Sequence, residues 1–212
     1  MIFLNKTDDF PNVETADQYG VLAVGGDLSV NRLLNAYKNG IFPWYNQGEP
    51  IIWYAPPKRM VLFPEELKIS KSMKQILKKE IFTVTFNRNF KEVIRQCKTI
   101  HRQGQQGTWI TDEMEAAYLK LHELGKAKSV EVWQNNQLVG GLYGVDLDTV
   151  FCGESMFSLV SNASKTAFIY LVKHLQSQNY KVLDCQVYND HLASLGAREI
   201  PRMEFMKILK NL

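Results

Sequence analysis

Two carboxylates and an amide near the C-terminal end stand where strand-like runs stop. Phe151-Cys152-Gly153-Glu154-Ser155-Met156-Phe157 delivers Glu154 after an apolar lead-in. Asp184-Cys185-Gln186-Val187-Tyr188-Asn189-Asp190-His191 delivers Asp184 and Gln186 after another. A strand whose apolar run ends in polar groups presents a reactive edge rather than a bare core. Side chains alternate across a strand, so Asp184 and Gln186 are expected on one face, with Asp184 accepting a hydrogen bond that biases Gln186. Glu154 sits at the expected end of the neighbouring strand, where it can orient an amine or a cationic side chain. Cys185 near His191, with Cys152 one strand away, raises a thiol nucleophile, but small thiols in strands read as inert core residues. No serine–histidine–acid triad can be assembled from the four histidines.

The elements that must position these groups follow from periodicity. Gly25-Gly26-Asp27-Leu28-Ser29 is a turn feeding a helix, with Ser29 as N-cap, Val30, Leu33, Leu34 and Tyr37 on one face, and Gly40 as stop. An aromatic, proline-broken run follows, Ile41-Phe42-Pro43-Trp44-Tyr45, then a strand at Ile51-Ile52-Trp53-Tyr54. Ser70 or Ser72 caps a helix to about Lys79, Phe82 to Phe86 alternates as a strand, and Phe90 to about Lys98 reads as a helix. Thr111 caps the next helix, which buries Met114, Tyr118, Leu121 and Leu124 and closes at Gly125. From Ser129 the pattern turns to a meander: Val130 to Gln134, Leu138 to Val145, and Thr149 to Gly153. A nearly all-apolar helix from Ser164 to Gln178, a strand from Lys181 to Cys185, a short helix to Leu195, a strand near Arg198 to Ile200 and a last helix complete the chain.

With 212 residues, 45% apolar and 22% charged, the chain reads as an ordinary soluble globular protein. It has no apolar run of membrane-spanning length and no signal peptide, so a cytoplasmic location without membrane association is expected. Three cysteines without a Cys-x-x-Cys argue for a reducing compartment and against a structural metal. A net charge of +3 is modest, so any nucleic-acid contact must come from a local cluster. One such cluster exists. Lys71, Lys74 and Lys78 share a helix face, with Lys68 just before them and Arg59 as a candidate neighbour. Lysines near a helix N-terminus oppose its dipole, and the conflict disappears where phosphates bind.

Three meandering strands, a helix, a strand, a helix and a strand resemble the GNAT acyltransferase fold. The expected class is therefore mixed α+β. A GNAT-like catalytic domain is expected at 96–212, with a smaller N-terminal α/β domain at 1–95 packed against it and the boundary between about 90 and 128. The glycine-rich Arg/Gln-x-x-Gly-x-Gly/Ala turn that holds coenzyme A in that fold is missing. Gln137-Leu138-Val139-Gly140-Gly141-Leu142 comes nearest but lies inside a hairpin.

A more specific resemblance covers residues 20 to 202. Gly25-Gly26-Asp27-Leu28-Ser29, Gly40-Ile41-Phe42-Pro43-Trp44, Gly107-Thr108-Trp109-Ile110-Thr111, Ser129-Val130-Glu131-Val132-Trp133, the Glu154 segment, Asn162-Ala163-Ser164-Lys165-Thr166 and Asp184-Cys185-Gln186 follow one another as in the leucyl/phenylalanyl-tRNA–protein transferase family. The resemblance implies transfer of Leu or Phe, less readily Met, from aminoacyl-tRNA to proteins beginning with Arg or Lys, marking them for degradation. It implies that Asp184, Gln186 and Glu154 flank the reaction centre. Leu142, Met156, Leu171 and Leu183 would form the amino-acid pocket, with Leu142 and Leu171 departing from the family's Met and Phe. Trp44 and Trp109 would wall the terminal adenosine, and the lysine helix would meet tRNA phosphates. No metal or other cofactor is implied, and a monomer is the default expectation. Two other readings stay open: a coenzyme A-dependent N-acetyltransferase, and a non-catalytic tRNA-binding module.

Overall fold

Residues 2–100 and 108–210 are described by the structure, a computed structural model. In chain order the elements are β1 (Ile2–Leu4), β2 (Val21–Gly25), α1 (Val30–Lys38), β3 (Phe42–Pro43), β4 (Ile52–Tyr54), β5 (Lys58–Leu62), α2 (Lys71–Lys78), β6 (Thr83–Phe86) and α3 (Phe90–Thr99). There follow α4 (Asp112–Glu123), β7 (Ala127–Gln134), β8 (Gln137–Asp146), β9 (Val150–Ser158), α5 (Ala163–Ser177), β10 (Val182–Gln186), α6 (Asp190–Ser194), β11 (Arg198–Pro201) and α7 (Arg202–Leu209). Hydroxyl caps start three helices as their sequence demands. Ser29, Ser70 and Thr111 accept from the backbone N–H groups of Arg32, Met73 and Met114.

The strands build two sheets, a four-stranded one in the order β1-β2-β4-β3 and a seven-stranded one in the order β11-β5-β10-β9-β8-β7-β6. Within the larger sheet β9 and β10 run parallel, joined across α5, while its other pairings are antiparallel. The mixed α+β class and the meander–helix–parallel-strand arrangement of the acyltransferase type are thus present. The meander is buried on both faces. Tyr143 and Cys152 belong to the cluster under α3 and α4, whereas Leu142 and Phe151 belong to the cluster under α5. Alternation along a strand produces that split, and burial on both sides explains why these strands read as near-continuous apolar runs.

The larger sheet takes β5 and β6 from before residue 95, so the two sheets divide between Tyr54 and Lys58. One core cluster also joins Leu33, Ala36 and Tyr37 of α1 to Val93, Tyr118 and Tyr143. In addition, β9 does not stop at Gly153. It stays paired with β8 to Ser158, and Glu154 lies inside it. The polar Glu154-Ser155 step interrupts the apolar pattern without interrupting the ladder.

That ladder carries a bulge: Tyr143 pairs with Ser155 but Gly144 with Gly153, leaving Glu154 as the extra residue. Gly144 permits it, because a Cβ there would stand 2.2 Å from the Cys152 carbonyl oxygen and 2.5 Å from the Phe151 ring. Gly144→Ala is therefore expected to cost about 1–3 kcal/mol, the usual scale of overpacking. Urea unfolding measures it, and an unchanged midpoint would show that the bulge relaxes freely.

Candidate active site

The parallel ladder between β9 and β10 ends at the Cys152–Asp184 rung. Beyond it β9 stays with β8, whereas Gln186 pairs with Met60 of β5. The strands therefore part just where their polar residues begin. A second bulge lies here, since Asp184 pairs with Val61 and Gln186 with Met60, leaving Cys185 extra. Bulges bend a strand and re-aim its side chains. Gln186 pays for this bend with a positive φ of 63°, which an L-residue adopts only when its surroundings impose it. Its backbone N–H donates to Asp184 Oδ1 at 2.9 Å, which holds the turn.

A cavity of about 630 Å³ opens at the split. Leu142, Met156, Leu171 and Leu183 all line it, joined by Phe168 and Leu192, so the four expected pocket residues are brought together. Trp44 and Trp109 line the same cavity, with Tyr54 packed 5.9 Å from the Trp44 ring. Gly107, which opens the Trp109 segment, and His101 lie outside the described residues.

Glu154 forms part of the polar wall. Its Oε1 accepts from Tyr37 Oη at 2.7 Å and from Gln186 Nε2 at 2.8 Å, and its Oε2 accepts from Tyr118 Oη at 3.0 Å. No ion pair to Glu154 is present among the described residues. Burial is the largest influence and pushes its carboxyl from an ordinary 4.5 to about 7, against the opposing effect of the two phenols. The Asp184 carboxylate adds to the rise and the Arg59 guanidinium opposes it. A carboxyl that exchanges its proton near neutrality is suited to acid–base work. Burial, followed by the charge of Glu154, pushes both phenols well above their ordinary range, so they remain donors.

Asp184 is different. It has no exposed surface, and both oxygens are taken by Arg59: Nε donates to Oδ1 at 2.8 Å and Nη2 to Oδ2 at 2.7 Å. Burial works against the Arg59 charge, but Asp184, with smaller contributions from Cys152 and Glu154, leaves the guanidinium above its ordinary value. Arg59 also donates to the Gly40 carbonyl at 3.1 Å and lies between the Phe42 and Phe205 rings, at 4.7 and 4.9 Å. Two expectations are corrected. Arg59 does not join the lysines, because it is 2% exposed and spent on this pair. Asp184 biases Gln186 through the backbone, while the Gln186 side chain reaches Glu154 instead.

The lysines form their own surface. Lys68, Lys71, Lys74 and Lys78 are exposed, α2 buries Met73 on its other side, and none of the four lines the cavity. Burial pushes the Cys152 and Cys185 thiols up, which removes them as nucleophiles at neutral pH. Three site residues escaped the sequence reading. Tyr37 and Tyr118 fall on the apolar faces of their helices, where spacing cannot separate a hydroxyl that works from one that packs. His191 lines the cavity as well. The bulge at Glu154 did have a signal, glycines inside strands at Gly144 and Gly153. Among the described residues no group of three or more His, Cys, Asp or Glu could hold a metal, and no helix is long and apolar enough to cross a membrane.

Comparison with known proteins gives two matches along the chain. The family model for leucyl/phenylalanyl-tRNA protein transferase matches residues 61–210, and the model for the N-terminal domain of leucyl/phenylalanyl-tRNA protein transferase matches residues 26–57. Similar curated proteins bear the name leucyl/phenylalanyl-tRNA–protein transferase. One from Flavobacterium johnsoniae is 66% identical, with 100% of both chains covered. Another, from Flavobacterium psychrophilum, is 61% identical over 99% of this chain and 100% of that one. Among solved structures, a GCN5-related N-acetyltransferase from Kribbella flavida aligns with a TM-score of 0.40 at 11% identity, over 80% of this chain and 59% of that chain.

Two outcomes test this geometry. Asp184→Asn strands a buried guanidinium and is expected to cost about 3–5 kcal/mol in urea unfolding, with Arg59→Met plus Asp184→Leu costing less. A small effect of the single change would mean that the pair is not desolvated. For Glu154, the folded value of about 7 lies above the ordinary 4.5, so the folded chain binds more protons between them. Glu154 therefore lowers stability progressively as pH rises through that window, and the loss levels off above it. Unfolding measured across this range should show wild type losing stability relative to Glu154→Gln. Parallel curves would refute the raised value.

Proposed function

The chain belongs to the leucyl/phenylalanyl-tRNA–protein transferase family, and we propose that its cavity at the split between β9 and β10 joins the two substrates of that aminoacyl transfer. The carrying observation is that one cavity holds an apolar pocket, two tryptophans and a carboxyl hydrogen-bonded to an amide. The side chain of a leucyl, phenylalanyl or methionyl donor enters among Leu142, Met156, Leu171 and Leu183. Such a pocket separates close aliphatic analogues by only about 1–3 kcal/mol, so shape rather than greasiness must reject β-branched residues. The terminal adenosine stacks on Trp44 and Trp109, a contact indifferent to the rest of the tRNA sequence. Phosphates of the tRNA meet Lys68, Lys71, Lys74 and Lys78.

The acceptor is the α-amine of a protein beginning with Arg or Lys, held beside Gln186 and Glu154. Donor and acceptor chemistry make the demands on the protein modest. An ester is already activated, and an α-amine with an ordinary value near 8 is partly neutral at physiological pH. Alignment of the two reactants plus management of one proton carries the reaction. Gln186 cannot act as a base and serves to position. Asp184 holds Gln186 and Arg59 in place without a free oxygen. In a cytoplasmic setting the product is a protein whose new N-terminus directs it to degradation.

Purified protein, labelled Leu-tRNA and a peptide beginning with Arg test the reading directly. Label is expected to pass to the peptide. Transfer from acetyl-coenzyme A alone would favour an N-acetyltransferase, and retention of tRNA without transfer a binding module. Lys71→Glu with Lys74→Glu should weaken tRNA binding and flatten its salt dependence, while leaving turnover at saturating tRNA near wild type. Unchanged binding in that double variant would remove the phosphate surface from α2.

A further inference from the structure

Tyr37 of α1, Tyr118 of α4 and Glu154 of β9 close a triangle of oxygens inside the fold. Each phenol bonds one carboxyl oxygen, at 2.7 Å from Tyr37 and 3.0 Å from Tyr118, and the two phenol oxygens also touch each other. The tyrosines are 1% and 0% exposed, so water does not compete for these positions. Three contacts need three hydrogens, and the phenols bring two. While Glu154 is an anion, both phenolic hydrogens point at it and the phenol–phenol contact sets lone pair against lone pair. A proton on Glu154 completes the set. The carboxyl donates to one phenol, that phenol to the other, and the second back to the carboxyl.

Resting on the transfer reaction proposed above, we propose that Tyr37 and Tyr118 are positioning residues that keep Glu154 ionised as the acceptor of the incoming amine's proton: their two bonds to the charged carboxylate outweigh the opposed phenol–phenol contact, and a hydrogen-bond ring closes when the proton arrives. The acceptor enters as an ammonium and passes one proton to Glu154, which frees the nitrogen lone pair. That pair forms the C–N bond to the ester carbonyl carbon. As the C–O bond to the ribose breaks, a second proton leaves nitrogen for the ribose oxygen. An amide and a free tRNA result, and Glu154 returns its proton to water.

The surroundings leave this tuning to the tyrosines. Asp184 and Arg59 face Glu154 from β10 and β5 and act in opposite senses on it. Cys152, in its own strand, is held as a neutral thiol by burial. Tyr143 of β8 stands behind, its ring 5.6 Å edge-on from that of Tyr118. Gln186 Nε2 donates to the same carboxyl and carries no charge.

The test is the pH dependence of kcat, with labelled Leu-tRNA and an Arg-led peptide both saturating, for wild type, Tyr37→Phe, Tyr118→Phe and Glu154→Gln. Each tyrosine change keeps the ring and deletes one oxygen. The acid limb of wild type is expected to vanish in Glu154→Gln. In each tyrosine variant it should move upward by about one pH unit, the shift that follows loss of one hydrogen bond to a carboxylate. The affinity for tRNA should not change. A limb that stays in place in both tyrosine variants, while Glu154→Gln abolishes it, overturns the ring and leaves Glu154 as acceptor. A limb that survives in Glu154→Gln overturns the acceptor role itself, whereas loss of transfer to any peptide in wild type would overturn the proposed reaction. Carbon-13 NMR of the Glu154 carboxyl reads the same shift without turnover, and an unmoved midpoint in the tyrosine variants is again fatal to the ring.

Discussion

A buried bidentate pair, Arg59 with Asp184, pins the place where the large sheet opens. Asp184 occupies the last rung at which β9 and β10 still pair, and Arg59 comes from β5 on the other side of β10. The guanidinium also ties in the turn after α1 through Gly40 and is enclosed by Phe42 and Phe205. Four separate stretches of chain thus meet on one charge. A pair of this kind adds little net stability over apolar packing, but either partner alone would be a buried, unpaired ion. It therefore acts as a register mark: the strands cannot slide without exposing that penalty.

Two carboxylates a rung apart consequently live in different electrostatic worlds. Asp184 has a full countercharge and a backbone N–H, so it remains committed to structure. Glu154, displaced by a bulge, has only neutral donors among the described residues, and burial lifts it to about 7. A countercharge on one buried carboxyl and none on its neighbour is a means of separating roles. In the proposed reaction the first group holds the frame and the second handles the proton.

Apolar pocket, aromatic walls and basic helix divide the proposed recognition of a charged tRNA. The pocket and tryptophans share the cavity, whereas the lysines of α2 lie on an exposed face outside its lining. Such a division lets the reaction centre stay dry and shaped while the long-range attraction is handled elsewhere.

Residue order alone determined most of the elements, though not β1, β2, β5 or the full length of β9. Ser29, Ser70, Thr111 and the turn glycines mark helix ends by local hydrogen bonding and backbone preference, and period-2 runs mark the meander. Met156 and both tryptophans stand in motifs that follow in register, the three leucines came only with the family resemblance, and all six line one cavity. What only the tertiary structure decided was which carboxylate is paired. Arg59 lies 125 residues from Asp184, and Tyr37 lies 117 residues from Glu154. No local pattern encodes such distances, because charge pairing and burial depend on what the fold brings alongside. The two bulges did the rest, turning an alternation that put Asp184 and Gln186 on one face into a site where Gln186 faces Glu154.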